Sequence, residues 1–200
     1  MTREGAFWSL LFVLIGCSVG DRLQSGIMER TALSSMVILK KPISGVTQHG
    51  MELFLRRAKL AVRLRGEVNV LITGNSDLQT LNRRFRGKDK PTDVLSFPAS
   101  LEQEKFAGDI AISAAIATKN ARFLRHSIAN EIKVLVLHGL LHLAGYDHER
   151  DNGAMARREA TLREKLRLPV SLIERNSVAS VKVAGRVKPR PRAKTARSRA

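Results

Sequence analysis

The sequence is poor in cysteine and in aromatic residues, and each shortage excludes a class of protein. Cys17 is the single cysteine among 200 residues, which excludes a disulfide framework and a thiolate-rich zinc cage. Only 4% of the residues are aromatic, so we do not expect a platform of aromatic rings that stack on RNA bases. The hydrophobic fraction of 44% is sufficient for one packed domain and excludes wholesale disorder.

Acidic residues are also scarce, and the resulting positive charge is unevenly distributed. The chain has 35 Lys+Arg and 18 Asp+Glu, which gives a formal net charge of +17. Residues 1–35 are neutral overall, residues 177–200 carry +8 with no acid, and residues 36–176 therefore carry +9. The excess favours a polyanionic partner, either nucleic acid or an anionic membrane surface. We predict that residues 177–200 are a disordered basic tail, either a nonspecific anchor on nucleic acid or a segment without a dedicated role.

The N-terminal region contains a short apolar run that does not fit the domain that follows it. Residues 6–19 are largely apolar, but a helix that spans a bilayer needs about 20 residues. We interpret residues 1–35 as an apolar leader or a misassigned N-terminal extension, with an internal methionine such as Met36 as the true start. The sequence before Cys17 is also similar to a lipoprotein cleavage box, so an exported lipoprotein stays open as the alternative.

The apolar pattern of residues 36–176 predicts an α+β domain. Strands are predicted at 37–39, 67–73, 93–97 and 108–112, and helices at 49–65, 76–84, 113–124, 128–143 and 152–166. The third and fourth strands have no helix between them, which indicates antiparallel neighbours. We therefore expect a mixed β-sheet of about four strands with helices packed on it.

Capping residues predict where several of these helices begin and end. Gly66 is placed to end the first helix, and Ser76 with Gln79 forms a capping box for the second. Ser113 is the predicted N-cap of the third helix. Gly145 is predicted to end the apolar helix at 128–143 with a left-handed turn.

Three of the five histidines fall between residues 138 and 148. His138 and His142 are four residues apart on a predicted helix, so both rings project from one face. The turn at Gly145 can bring His148 back towards them. Three imidazoles leave a fourth tetrahedral position open, as in catalytic zinc sites, although nickel and copper accept the same ligands. We predict one Zn²⁺ ion on these three histidines.

The spacing of the histidines is that of the metzincin proteases, but one residue differs. Those enzymes have a glutamate after the first histidine, and it acts as the general base. The corresponding residue here is Gly139. Without a carboxylate to accept the proton of the attacking water, a peptidase is disfavoured.

The histidine motif, HGLLHLAGYDH, resembles the HGxLHLxGYDH signature of the YbeY family. Members of this family are bacterial endoribonucleases that are specific for single strands and act in rRNA maturation. Leu81–Pro98 is similar to a second block of that family, and Gly108–Ile110 matches a third. In order and spacing, the resemblance covers about residues 36–170. It implies a zincin-like metal helix, a metalloprotease-like fold and zinc ligation by the three histidines.

The matching blocks and the residues beside them contain further candidate site residues besides the three histidines. Arg86 matches an arginine that the family assigns to catalysis or RNA binding, and a guanidinium can hold a phosphate with two hydrogen bonds. Lys88 and Lys90 flank it and are candidate substrate-binding residues. Asp109 is a candidate either to orient a zinc-binding histidine or to cap a turn, and Asp147 either to support such a histidine or to hold the bend after Gly145.

The function implied is a zinc-dependent endoribonuclease in rRNA processing. It would act on single-stranded RNA, rRNA precursors and the small ribosomal subunit, including maturation of the 3′ end of 16S rRNA and late quality control of that subunit. We expect it in the cytoplasm, without stable membrane association. Two alternatives stay open: a zinc hydrolase of another substrate class, and a noncatalytic ribosome assembly factor with a zinc site. The sequence indicates no general base.

Overall fold

The structure, a computed structural model, describes residues 35–100 and 105–169. The predicted basic tail and, except for Ser35, the predicted leader lie outside these residues. The elements are β1 (Met36–Leu39), α1 (Gln48–Val62), β2 (Glu67–Thr73), α2 (Asn75–Arg86), β3 (Val94–Pro98), β4 (Phe106–Ser113), α3 (Ala114–Leu124), α4 (Ile128–Leu143) and α5 (Ala154–Leu166). Across the described part of the chain, no helix is both long and apolar enough to cross a membrane.

The four strands form one mixed sheet in the order β1-β2-β4-β3. β2 pairs with β1 and with β4 in parallel, whereas β3 and β4 are antiparallel. The parallel neighbours are separated in sequence by helices, and β3 leads to β4 through a connection without a helix. The prediction of an α+β domain with a four-stranded mixed sheet is confirmed.

The sheet is covered on both faces, and β4 shows which helices cover each face. Ile110 and Ile112 belong to the larger apolar core, which also contains residues of α1, α4 and α5. Ala111 belongs to a smaller cluster with Leu78 and Leu81 of α2. Because successive side chains of a strand point to opposite faces, α2 covers one face and α1, α4 and α5 cover the other.

Helix α4 is the central helix of the domain. Almost all of its residues between Glu131 and Leu141 are buried, because it packs against the sheet and against α1, α3 and α5. It comes very close to the sheet at Gly139, where a Cβ atom would lie 2.9 Å from Cδ1 of Ile110 and 3.1 Å from Oγ of Ser96. A larger residue at this crossing would have to displace the side chains of Ile110 and Ser96.

Two predicted helix caps are wrong, and the packing of the sheet explains the first of them. α1 ends at Val62, and Arg63 rather than Gly66 adopts the left-handed conformation that ends the helix. Gly66 has a positive φ of 79°, and a Cβ atom there would lie 2.9 Å from the backbone nitrogen of Ala107. Gly66 thus allows the chain to enter β2 close to the backbone at the start of β4.

The second wrong prediction is the capping box of α2, whereas Ser113 caps α3 as predicted. α2 begins at Asn75, one residue before Ser76, and its N-cap is Gly74, which offers no side-chain hydrogen bond. The side chain of Asn75 instead accepts a hydrogen bond from Ser113. The same hydroxyl of Ser113 accepts from the backbone nitrogen of Ile116. The bounds of α4 are those predicted, and α5 begins two residues later than predicted.

Candidate metal centre

The structure brings the three predicted histidines together. Each of His138, His142 and His148 offers one ring nitrogen, and these atoms all lie within 4.8 Å of one another. The Nε2 atoms of His138 and His142 are 3.1 Å apart. Across the cluster, burial decreases from His138, which is buried, through the half-buried His142 to the exposed His148. The three residues can therefore hold a metal ion whose open side faces solvent.

The third histidine reaches the cluster because of how α4 ends. The backbone nitrogens of Gly145 and Tyr146 donate to the carbonyl oxygens of His142 and Leu141, which is the pattern of a Schellman motif. Gly145 has a φ of 89°, as predicted for the left-handed residue of this turn. The chain therefore reverses within a few residues, and the ring centroids of His148 and His142 lie 5.2 Å apart.

Asp147 stabilises the turn that carries His148. Its side-chain oxygen accepts a hydrogen bond from the backbone nitrogen of Glu149, and its carbonyl oxygen accepts from the backbone nitrogens of Arg150 and Asp151. Its carboxylate is also near enough to His142 to favour the charged form of that ring. Asp147 thus holds the turn beside the histidines, and its predicted role as their support stays a prediction.

Two of the histidines have hydrogen-bond acceptors on the side away from the cluster. Nδ1 of His138 lies 3.2 Å from Oε2 of Glu159, a fully buried residue of α5. Nδ1 of His142 lies 3.0 Å from the carbonyl oxygen of Tyr146. The sequence analysis missed Glu159. The available signal was an acidic residue on the apolar face of a predicted helix.

Burial keeps His142 neutral. Desolvation, followed by the neighbouring charges of His138 and His148, lowers the pKa of His142 to about 4, against a smaller opposing effect of the Tyr146 carbonyl and Asp147. The ring is therefore uncharged at neutral pH, and its Nε2 lone pair is available to a metal ion.

The predicted arginine lies on a separate part of the fold. Arg86 is the last residue of α2, is exposed, and is followed by Gly87 in the left-handed conformation. The buried Asn82 fixes the next loop, because its side-chain nitrogen donates to the backbone carbonyl oxygen of Lys90 and its backbone carbonyl oxygen accepts from the backbone nitrogen of Lys88. The exposed side chains of Lys88 and Lys90 thus project from an anchored loop.

A short chain of contacts connects this loop to the metal helix. Phe85, next to Arg86, packs edge-on against Phe97 of β3, with ring centroids 5.2 Å apart. The adjacent Ser96 faces the other way and donates a hydrogen bond to the carbonyl oxygen of Gly139, at 3.4 Å. Gly139 follows His138 directly. A single strand therefore separates the basic end of α2 from the first histidine.

Asp109 takes a different place from the one expected of a histidine support. It is buried, and one of its oxygens accepts a hydrogen bond from the side chain of Asn69 on β2, at 3.1 Å. The alternation of β4 turns Asp109 towards the face of α2, whereas its neighbour Ile110 faces α4. Asp109 contributes to the centre of the sheet, and its predicted role beside a histidine stays a prediction.

Comparison with known proteins agrees with the motifs. Residues 32–167 match the family model described as Endoribonuclease YbeY. The chain belongs to the YbeY family. A protein named Endoribonuclease YbeY from Koribacter versatilis (strain Ellin345) is 55% identical over 153 residues, which are 76% of this chain and 99% of the relative. A protein of the same name from Solibacter usitatus (strain Ellin6076) is 45% identical over 141 residues, 70% of this chain and 94% of that protein.

A solved structure of a related chain is also similar. The solution structure of TM1509 from Thermotoga maritima is 30% identical, has a TM-score of 0.46, and covers 66% of this chain and 89% of its own. The YbeY family model spans both the arginine block at the end of α2 and the three histidines. The resemblance inferred from the motifs is thereby confirmed at the level of the family.

Proposed function

We propose that this member of the YbeY family is a zinc-dependent endoribonuclease that cleaves single-stranded RNA during rRNA processing. The proposal includes maturation of the 3′ end of 16S rRNA and late quality control of the small ribosomal subunit. The observation that carries it is the cluster of His138, His142 and His148, which lies in a chain whose relatives are named endoribonucleases. The cytoplasm is the compartment that this substrate requires.

The residues of the cluster fit a zinc ion. Zinc–nitrogen bonds of about 2.0–2.1 Å in a tetrahedron separate two ligand nitrogens by roughly 3.3 Å, and the Nε2 atoms of His138 and His142 are 3.1 Å apart. Three imidazole nitrogen ligands with a fourth position left open are typical of catalytic zinc sites. Such an ion supplies Lewis acidity, which lowers the pKa of a water molecule or polarises a phosphoryl oxygen.

The basic end of α2 supplies the groups that bind a phosphodiester. Arg86 is exposed and can hold two phosphate oxygens at once, which orients the substrate and stabilises the negative charge that develops during cleavage. Lys88 and Lys90 add positive charge along the path of the RNA backbone. β3, which lies between this loop and the metal helix, is an edge strand of the sheet, and one RNA segment would contact both by passing around this edge.

The packing of Gly139 opposes the alternative of a peptidase. A glutamate at this position would have to place its Cβ atom 2.9 Å from Ile110 and 3.1 Å from Ser96. A glutamate here would have to displace both side chains, and the sequence has glycine where metzincins have the carboxylate of the general base. A purely structural zinc site is also disfavoured, because such sites have four protein ligands and the cluster has three among the described residues 35–100 and 105–169.

The test is cleavage of a labelled single-stranded RNA by the full chain, with double-stranded RNA of the same sequence beside it. We expect His142→Ala to lose both metal and cleavage. We expect Arg86→Ala to retain the metal and to cleave about 100- to 1,000-fold more slowly. Arg56→Ala, an exposed arginine of α1, is the matched control and should behave as the wild type.

The outcomes separate the candidate functions. Cleavage that persists in both His142→Ala and Arg86→Ala would contradict the proposed site. RNA binding without cleavage by the metal-loaded wild type would favour the noncatalytic assembly factor. Hydrolysis of another substrate class, with RNA left intact, would favour a different zinc hydrolase.

A further inference from the structure

Helix α5 carries a buried carboxylate at the metal cluster that the histidine motif does not include. The buried face of α5 consists of Met155, Glu159, Leu162 and Leu166. Three of these four residues are apolar, as expected for a helix that packs on a core. Glu159 is fully buried among them, and its Oε2 atom lies 3.2 Å from Nδ1 of His138. A buried carboxylate contributes little to stability compared with an apolar residue of the same size, so its position calls for a chemical reason.

The contact determines which nitrogen of His138 carries the hydrogen. A carboxylate only accepts hydrogen bonds, so a neutral His138 must donate from Nδ1. Its Nε2 atom then has a free lone pair, and this atom is the one that lies 3.1 Å from Nε2 of His142. The Tyr146 carbonyl acts in the same way on Nδ1 of His142. Both histidines of α4 are therefore held in the form that presents Nε2 to the cluster.

We propose that Glu159 is a positioning residue of the metal centre, which fixes the tautomer and the ring orientation of His138 and thereby raises the affinity for the metal. The proposal rests on the zinc site of the proposed function. Carboxylates that accept from a metal-binding histidine orient the ring and increase its basicity, and their loss lowers metal affinity roughly 10- to 100-fold. α5 is then part of the metal centre as well as part of the core.

The protein contains a matched control for this role. Glu131 of α4 is also fully buried, and its Oε2 atom lies 2.7 Å from Nε2 of His126. This pair lies near the opposite end of α4, about 10 Å along the helix axis from His138. Both glutamates are thus buried partners of a histidine, but only Glu159 contacts a residue of the cluster.

The experiment compares the full-length wild type with Glu159→Met, Glu159→Gln and Glu131→Gln. Zinc affinity is measured by competition with a chelator, and circular dichroism gives the folded fraction. Two-bond ¹H–¹⁵N NMR of the zinc-free proteins reports which nitrogen of each histidine carries the hydrogen. Met fills a similar volume to Glu but accepts no comparable hydrogen bond, whereas the amide oxygen of Gln can still accept one.

We expect Glu159→Met to bind zinc at least 10-fold more weakly than the wild type and to lose the fixed Nδ1–H form of His138. Glu159→Gln should keep that tautomer and lose less zinc affinity than Glu159→Met. The Gln variant also tests the role of Glu159 if the Met variant does not fold. Glu131→Gln should keep the zinc affinity of the wild type within about twofold. A Glu159→Met protein that folds and binds zinc as tightly as the wild type would overturn the role of Glu159 alone. A wild type that binds no zinc would overturn both this role and the proposed function.

Discussion

Gly108 of β4 is the position where a single methyl group should be most damaging to the fold. It has a φ of 144°, a conformation that other residues rarely adopt. A Cβ atom there would lie 2.3 Å from the carbonyl oxygen of Phe97, 2.8 Å from Cδ2 of Leu143 and 3.1 Å from Cα of Pro98. Two of these three atoms belong to the backbone of β3, so no change of rotamer relieves the contact. Gly108→Ala must therefore shift β3 away from β4 or distort both strands.

The expected loss of stability follows from two contributions. The unfavourable backbone conformation costs about 1–3 kcal/mol, and the forced displacement of packed neighbours costs about 1–3 kcal/mol more. We therefore expect Gly108→Ala to lower the free energy of unfolding by roughly 2–6 kcal/mol. Because Leu143 follows His142 directly, the displacement should also weaken metal binding.

Urea unfolding of the full chain measures this difference, and Gly45→Ala is the control. Gly45 also has a positive φ, 75°, but no atom lies within 4 Å of the position of its Cβ. The control therefore isolates the backbone contribution, roughly 1–2 kcal/mol for a left-handed residue. If Gly108→Ala unfolds at the same urea concentration as Gly45→Ala, the reasoning about the contact between β3 and β4 is refuted.

Three further predictions concern a helix cap, an acidic residue and the charged C-terminal region. Ser113→Ala removes the fully buried hydroxyl that accepts from the nitrogen of Ile116, and should cost about 1–2 kcal/mol in the same urea experiment. Burial raises the pKa of Asp77, but hydrogen bonds from Lys40 and Thr73 outweigh it and leave the pKa below its usual value. Asp77 therefore stabilises the fold at pH values above its unfolded pKa, and this stabilisation is lost as the pH falls through the folded pKa. Asp77→Asn should accordingly be less stable than the wild type at pH 7, and the difference between the two proteins should shrink in acid. Deletion of residues 177–200, which carry +8, should make RNA affinity less dependent on salt concentration, and an unchanged salt dependence would show that this region does not contact RNA.

The metal cluster could be predicted from the sequence because its geometry is local. The four-residue spacing of His138 and His142 needs only a helix, and the return of His148 needs only the left-handed turn at Gly145. These three residues and the turn lie within eleven consecutive positions. The bounds of α4 were predictable for the same reason, since its strongly apolar sequence ends at the turn at Gly145.

The residues that could not be predicted depend on contacts between distant parts of the chain. Glu159 acts through His138, which is 21 positions earlier, and its burial follows only from the packing of α5 on the core. Gly66 was predicted to end α1, but the close approach of Ala107 on another strand requires the glycine there. The position of Asp109 could not be predicted either. The match of Gly108–Ile110 to the family does not reveal that the side chain of Asp109 faces α2.

The central claim is that one metal ion on the three histidines cleaves RNA, and a titration of the zinc-free chain tests it most directly. The full-length protein is stripped of metal, and the rate of cleavage of a single-stranded RNA is measured as zinc is added. The rate should rise from the background of the buffer and reach its plateau at one zinc per chain, as expected for a single site on His138, His142 and His148. Cleavage at full rate by the stripped protein, or a rate that does not respond to zinc, would contradict the claim.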